Sequence, residues 1–465
     1  MASSDRVQSG STSSGGSKLD RFLFGAFILG LLAIAFVAGA LLTSAGTFPG
    51  PQIARAYEAG RALYHQATAY DDPFAGDLWF PTSHQEAGVT IHAADAMQEG
   101  LTLYTSGEAT VARLVSVEGE VLHEWHLPFS EMAGAASRIT RPRPDPFVYF
   151  RNAHLFPNGD LLVVIEGNGD TPYGYAIARL SRESRLLWLY DGGAHHDLEV
   201  GPDGRIYAIT HEVVQHRLEH FDNLADAWLE DYLVVLSPEG VEELKLPLTE
   251  TVARSPFSHL LHTVSSYSVG DPLHTNAVNL IGAEFADAVP FAEEGDLLLS
   301  FRELNAVGIL DPERQELRWA TRGPWIGQHD ADPLPEGTIL LFDNYGDYQR
   351  DRGISRVIEF DPRTMEIVWE YGGSAEQPLE SAIRSEQQRL ENGNTLIVES
   401  NRGRILEVTP QGEIVWEFLN PARGGEAESQ IAIVASARRV PLNHLDQDFL
   451  AELSPPTERL QEARR

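Results

Sequence analysis

The feature that most constrains this chain is a turn that recurs with the same kind of strand after it and the same polar position before it. Pro157-Asn-Gly159, Pro202-Asp-Gly204, Pro335-Glu-Gly337 and the equivalent Glu391-Asn-Gly393 lead into DLLVVI, RIYAIT, TILLFD and NTLIVE, and Gly295 leads into DLLLSF. Short apolar runs bounded by Pro/Gly turns read as strands, with Gly supplying the positive φ of the turn. A second hairpin alternates with the first: AIARLSRESRLLWLY, YLVVLSPEGVEELKL, VGILDPERQELRWAT, RVIEFDPRTMEIVWEY and RILEVTPQGEIVWEF. A sixth copy, ARLVSVEGEVLHEW, follows the strand at Leu101–Tyr104. Joined in order they make six units, each of about 30 to 50 residues and four short strands, which is the signature of a β-propeller. The expected fold is therefore all-β, a six-bladed β-propeller over residues 98–420, with residues 421–465 as a C-terminal extension that carries no motif. Stacked β-sandwiches could use the same strands but give no reason for a polar position to recur at a fixed offset.

That offset is six residues before the turn, where the chain places Arg151, His196, His329 and Ser385. Seven residues after the turn glycine stand Glu166, His211, Arg302, Asn344 and Ser400. Antiparallel pairing brings both sets to the open end of each hairpin. If the first strand of each unit is innermost, they ring one mouth of a central channel. His274 joins them, because His274-Thr-Asn276 opens the corresponding strand of the fourth unit, with an insertion around Ala283–Ala292 masking the spacing. A mouth carrying Arg151, His196, His274, Arg302 and His329 is expected to be cationic within a chain of net charge -33. Such a local inversion of sign suits an anionic ligand. Strand alternation turns His195 away from its neighbour, and His195, His154 and His211 stay open between site and structure. His126, His216, His220 and His444 read as ordinary polar residues at strand ends or in loops. Trp125, Trp188, Trp319, Trp369 and Trp416 end outer strands and read as packing between units.

The same charge, Lys+Arg 35 against Asp+Glu 68, opposes binding to nucleic acid or to an anionic lipid surface. The absence of cysteine excludes disulfides, thiolate zinc sites and a cysteine nucleophile. Residues 1–17 are Ser/Gly-rich and read as a disordered tail. Lys18 and Arg21 precede an uncharged, mostly apolar run from Phe22 to Leu42, whose rise of about 1.5 Å per residue suffices to cross the membrane core. Residues 18–46 are thus expected to be a single-pass anchor in a bacterial inner membrane. The flanking basic residues place the tail inside and the propeller on the periplasmic side. A cleaved signal peptide is the competing reading, since Thr43-Ser-Ala45 resembles a cleavage site. Residues 47–97 read as a helical or irregular linker, with a short helix at Gln52–Ala69.

With these pieces in place the chain resembles the bacterial arylsulfate sulfotransferases that work without PAPS. The resemblance rests on Gly100-LTLY, GEVLHEW at 119–125, HHDLEVGPDGRIYAI at 195–209, HTNAV at 274–278, SFRELNAV at 300–307 and QHDADPLPEGTILLFDN at 328–344. It implies ping-pong transfer of a sulfuryl group from an aryl sulfate to a phenolic acceptor through a sulfohistidine. It makes His329 the nucleophile, and has His196 and His274 bind the sulfuryl oxygens or exchange protons with the phenol. Arg302 completes the anion clamp and Asn276 donates a further hydrogen bond. Arg151, Asn344, His211 and His195 are carried as substrate-binding candidates. Asp197 and Asp330 follow their histidines, but alternation argues against contact with the imidazoles.

Two other functions remain open at this point. One is a non-catalytic propeller, a scaffold or anion-binding subunit of the cell envelope. The other is a metal enzyme in which His196, His274 and His329 hold a divalent ion, against which Arg302 in the same ring argues. The expectation is no cofactor and no metal, small aryl substrates, membrane attachment through residues 22–42, and either a homo-oligomer or a membrane-protein partner.

Overall fold

The computed structural model describes residues 18–45, 47, 48, 50, 72–82, 84–346 and 353–453, in two units that divide after Asp71. In the first, α1 (Lys18–Ser44) is long and apolar enough to cross a membrane, and its span from Leu19 onward is buried against nothing. The tail at 1–17 and the helix expected at Gln52–Ala69 lie outside the described residues.

The second unit is mostly β, in antiparallel sheets of the propeller type. Among the described residues, six sheets of four or five strands each have one end strand packed against the end strand of the next. In chain order these inner strands are β1 (Val148–Leu155), β2 (Ala194–Val200), β3 (Thr275–Leu280), β4 (His329–Pro333), β5 (Glu386–Arg389) and β6 (Val434–Val440). Each touches the next, and β6 touches β1, so the ring closes. A hydrophobic cluster fills every interface between neighbouring sheets: Leu162, Val164 and Ile177 of the β1 sheet, for example, meet Ala208, Val234 and Leu236 of the β2 sheet. Covering both faces explains why the second strands, Leu161–Gly167, Leu297–Phe301, Ile339–Asp343 and Thr395–Glu399, are buried at every residue. Each such aliphatic side chain contributes about 1.5–3 kcal/mol.

The turns behave as their residues require, Gly204 and Gly337 having φ of 83° and 82°. The outer-strand tryptophans clasp the following sheet. Trp125, Trp369 and Trp416 donate their indole N–H to the carbonyls of Gly159, Pro410 and Val117 at 3.0, 2.9 and 2.8 Å.

The expected boundary at residue 420 does not coincide with the end of the sheets. β6 lies beyond it and pairs Val440 with Leu101 and Val434 with Ser106, supplying the inner strand of the first sheet. It has no hairpin turn of its own because its partner comes from the other end of the ring, so no local motif marks it. The linker region likewise contributes a strand, Gly88–His92, to the outer edge of the β5 sheet. Trp79–Pro81 forms a small separate sheet with Gln430–Ala432 and Arg423–Gly424.

Candidate active site

Five of the six inner strands break register toward the same end. The irregularities fall between Phe150 and Asn152, His195 and Leu198, Thr275 and Ala277, His329 and Asp332, and Val434 and Ser436. His196, His274 and Asp330 have left-handed φ of 58°, 47° and 50°, as do Arg384 and Ser385 just before β5, at 63° and 81°. Non-glycine residues held there store about 1–3 kcal/mol each, a cost that concentrates at functional sites. Each bulge interrupts the strict alternation of side chains along its strand.

The result is a cleft of about 300 Å³ whose wall includes Arg151, His196, His274, Arg302 and His329. The His196 ring centroid lies 4.9 Å from that of His274 and 6.2 Å from that of His329. His329 is buried, and its Nδ1 lies 2.8 Å from Asn344 Oδ1 and 3.1 Å from the Gly327 carbonyl. Both partners accept, so Nδ1 carries the proton and Nε2 keeps its lone pair. Asn344 is itself fixed by donation from Nδ2 to the carbonyls of Ser381 and Arg384 at 2.8 and 2.9 Å.

The charge states of the three histidines differ. Burial, then the nearby Arg302 and Arg151, hold His329 well below the usual imidazole range. Burial, then His274 and His195, do the same to His196. Burial also opposes the charged form of His274, but Asp271 Oδ2 at 2.6 Å from its Nδ1 outweighs this and raises its pKa. The cleft thus pairs two imidazoles held toward the neutral form with one held toward the charged form.

The expected cationic mouth is largely neutralised. Arg151 Nη1 is held by Glu386 Oε1 at 3.0 Å and by the Ala435 carbonyl at 2.9 Å. Arg302 donates to the adjacent Glu303, and Arg384 lies 3.4 Å from Asp77. Glu166 braces the wall, its Oε1 accepting from the His196 backbone N–H at 2.8 Å and its Oε2 from Tyr149 at 2.6 Å.

Four of the nine sequence candidates stand behind the cleft. Asn344 orients His329. Asn276 donates to the Gln328 carbonyl at 2.7 Å, fixing the residue before His329. His211 stacks on His195 at 4.3 Å and its Nε2 accepts from the Gly174 N–H at 3.0 Å. His195 does not turn away from His196: their Nδ1 atoms are 2.7 Å apart, because the left-handed φ at His196 and the bulge cancel alternation. Asp197 and Asp330 keep clear of the imidazoles and bond Asn152, Val278 and Gln387. The residue pattern did not single out Tyr149, Tyr173, Asp271 or Arg384, although Asp271 stands three residues before His274 and Arg384 beside the register position Ser385.

Among the described residues, the ligand atoms of His195, His211 and Asp231 lie within 4.8 Å of one another, the spacing a metal ion needs. His211 does not suit that role: Nε2 accepts from Gly174, so Nδ1 carries the proton. His274 has its Nδ1 engaged by Asp271, which raises its pKa and disfavours the neutral form a ligand needs.

The family model for arylsulfotransferase (ASST) matches residues 152–421. No curated protein matches the chain. Among solved structures, a Bacteroides caccae protein of unknown function is 12% identical, with 73% of this chain and 98% of that one covered at a TM-score of 0.46. Virginiamycin B lyase from Staphylococcus aureus, in a catalytically inactive form with quinupristin, is also 12% identical, covering 74% and 88% at 0.38. The WD40 β-propeller domain of Doa1 is 11% identical, covering 74% and 86% at 0.38. By the match over more than half of its length, the chain belongs to the arylsulfotransferase family.

Proposed function

We propose that this chain is a membrane-anchored sulfotransferase, with six blades of a propeller carrying the site on the periplasmic side and α1 uncleaved. It moves a sulfuryl group from an aryl sulfate to a phenol in two half-reactions. In the first, His329 Nε2 attacks sulfur, the aryl S–O bond breaks, and the aryl oxygen leaves with the electron pair and takes a proton from His196 or His274. In the second, a phenol gives up its proton to the same histidine, its oxygen attacks sulfur, and the S–N bond returns its pair to Nε2. The observation that carries this reading is the pairing of His329 Nδ1 with Asn344 Oδ1, which leaves Nε2 as the free nitrogen beside His196, His274 and Arg302. A neutral imidazole is the competent nucleophile, and charge spreading over the sulfuryl oxygens meets fixed donors in a small, buried cleft.

The test is to incubate the full chain in detergent with an aryl sulfate and a phenol and follow release of the first phenol. Transfer that disappears in His329→Asn supports the reading. Binding of aryl sulfate without turnover across a varied donor panel would instead favour an anion-binding envelope subunit.

A further inference from the structure

Behind His196 the chain places three groups that the transfer chemistry above does not use. His195 and Asp231 are fully buried, and His195 Nε2 faces Asp231 Oδ1 at 3.5 Å, neither atom having another partner. The other oxygen of Asp231 accepts from the Thr275 N–H at 2.7 Å, which fixes the carboxylate where β2 and β3 meet. His211 stacks on His195, with a ring nitrogen within 4.8 Å of an Asp231 carboxylate oxygen. Tyr173 lies edge-on to His195 and His196, at 5.4 and 5.6 Å between ring centroids. Asp271, which holds His274, also interacts electrostatically with His195.

Facing a carboxylate, His195 Nε2 carries a proton. The neutral ring then has its lone pair on Nδ1, 2.7 Å from His196 Nδ1, so His196 donates through Nδ1 and keeps a lone pair on Nε2. We infer that His195 and Asp231 are positioning residues that store the proton exchanged with the aryl oxygen, His196 passing it between its two ring nitrogens.

The inference rests on the sulfuryl-transfer reading, and the step balances. As the acceptor phenol arrives, its O–H bond breaks and His196 Nε2–H forms, while His196 Nδ1–H breaks and His195 Nδ1–H forms. The products are a phenoxide, a neutral His196 that donates into the cleft, and a His195 imidazolium beside the Asp231 carboxylate. The free enzyme therefore enters the next cycle with the proton on His195; as the aryl oxygen departs, His196 Nε2–H and His195 Nδ1–H break while the aryl O–H and His196 Nδ1–H form, which leaves the neutral pair in the sulfated enzyme. Burial, then His274 and His195, disfavour a charge on His196 itself, so the charge is better held one residue further back, against a carboxylate.

The test compares the full chain with Asp231→Asn, an isostere that keeps the acceptor for Thr275. Single-turnover release is measured from aryl sulfates with leaving groups of rising basicity, from 4-nitrophenyl to 4-methylphenyl. A lost proton donor matters most where the leaving oxygen is most basic. The expected loss is therefore about 10-fold for 4-nitrophenyl sulfate and about 1000-fold for 4-methylphenyl sulfate. An equal loss across the series, as general structural damage produces, would overturn the inference. So would no loss at all.

Histidine nitrogen NMR of the full chain at alkaline pH, where the stored proton is absent and both rings are neutral, with His196→Asn identifying the resonance, tests the relay without turnover. The expected result is the Nδ1–H form of His196 in the wild type and the Nε2–H form in Asp231→Asn, where the new amide donates to His195. An Nε2–H form in the wild type overturns the relay. Absence of transfer from every donor by the wild type overturns the sulfotransferase reading and leaves this NMR result to decide the relay.

Discussion

Asn344 Oδ1 lies 2.8 Å from His329 Nδ1, and this contact decides which nitrogen of the imidazole meets a ligand. The amide cannot turn over, because its nitrogen is already held by the carbonyls of Ser381 and Arg384. A single asparagine at the end of the Ile339–Asp343 strand thereby links the β4 and β5 sheets to the state of the proposed nucleophile.

Replacing that residue separates orientation from chemistry. Asn344→Leu is expected to lower kcat/KM for an aryl sulfate by about 100-fold or more, because only the longer contact to the Gly327 carbonyl then holds the proton on His329 Nδ1. The Arg384 carbonyl loses its donor at a cost of about 1–3 kcal/mol, while Ser381 keeps Ser355, so the variant should also melt lower. Steady-state kinetics beside a thermal melt checks both effects, and full activity in a destabilised variant would argue against the orienting role.

The charge on His274 depends on Asp271. Burial works against that charge, and the carboxylate at 2.6 Å reverses the balance and raises the pKa. The charged form therefore persists to higher pH than in a free imidazole and is lost as pH rises through the raised pKa. In Asp271→Asn the high-pH limb of the kcat/KM profile should move to lower pH by about one unit or more. An unshifted limb would show that His274 does not need its charge.

Stability should follow the buried neutral imidazoles. His196, His211 and His329 are held well below 6.5, first by burial and then by nearby histidines or arginines. Below pH 6.5 the unfolded chain takes up protons that the folded one refuses. Their stabilisation is thus complete above that pH and lost as pH falls, at about 1.4 kcal/mol per pH unit for each group. Thermal melts should fall from about pH 7 toward pH 5, and less steeply in His329→Asn. Identical slopes would mean that His329 is already charged in the folded protein.

Much of this arrangement is legible in the residues themselves. Repeated Pro/Gly turns reveal the hairpins, and the position six before the turn marks His196, His329 and Arg151 for one mouth. What escapes local pattern is whatever depends on distant pairing. β6 carries no turn and becomes a strand only because Leu101–Ser106 lacks an inner neighbour. The bulges escape for a related reason: an alternating strand sends His195 and His196 to opposite sides, and only the left-handed φ at His196 brings their Nδ1 atoms together. The cationic mouth was overestimated because Glu386, Asp77 and Asp271 come from outside the repeat positions.

The central claim is that His329 itself carries the transferred group, and mass spectrometry of the full chain tests it most directly. Brief exposure to an aryl sulfate without acceptor should add one SO3 group, located at His329 by peptide fragmentation, and a phenol should then remove it at the rate of turnover. The same treatment should leave His329→Asn unlabelled and inactive. Transfer that proceeds with His329 unmodified, or that survives in His329→Asn, would contradict the account.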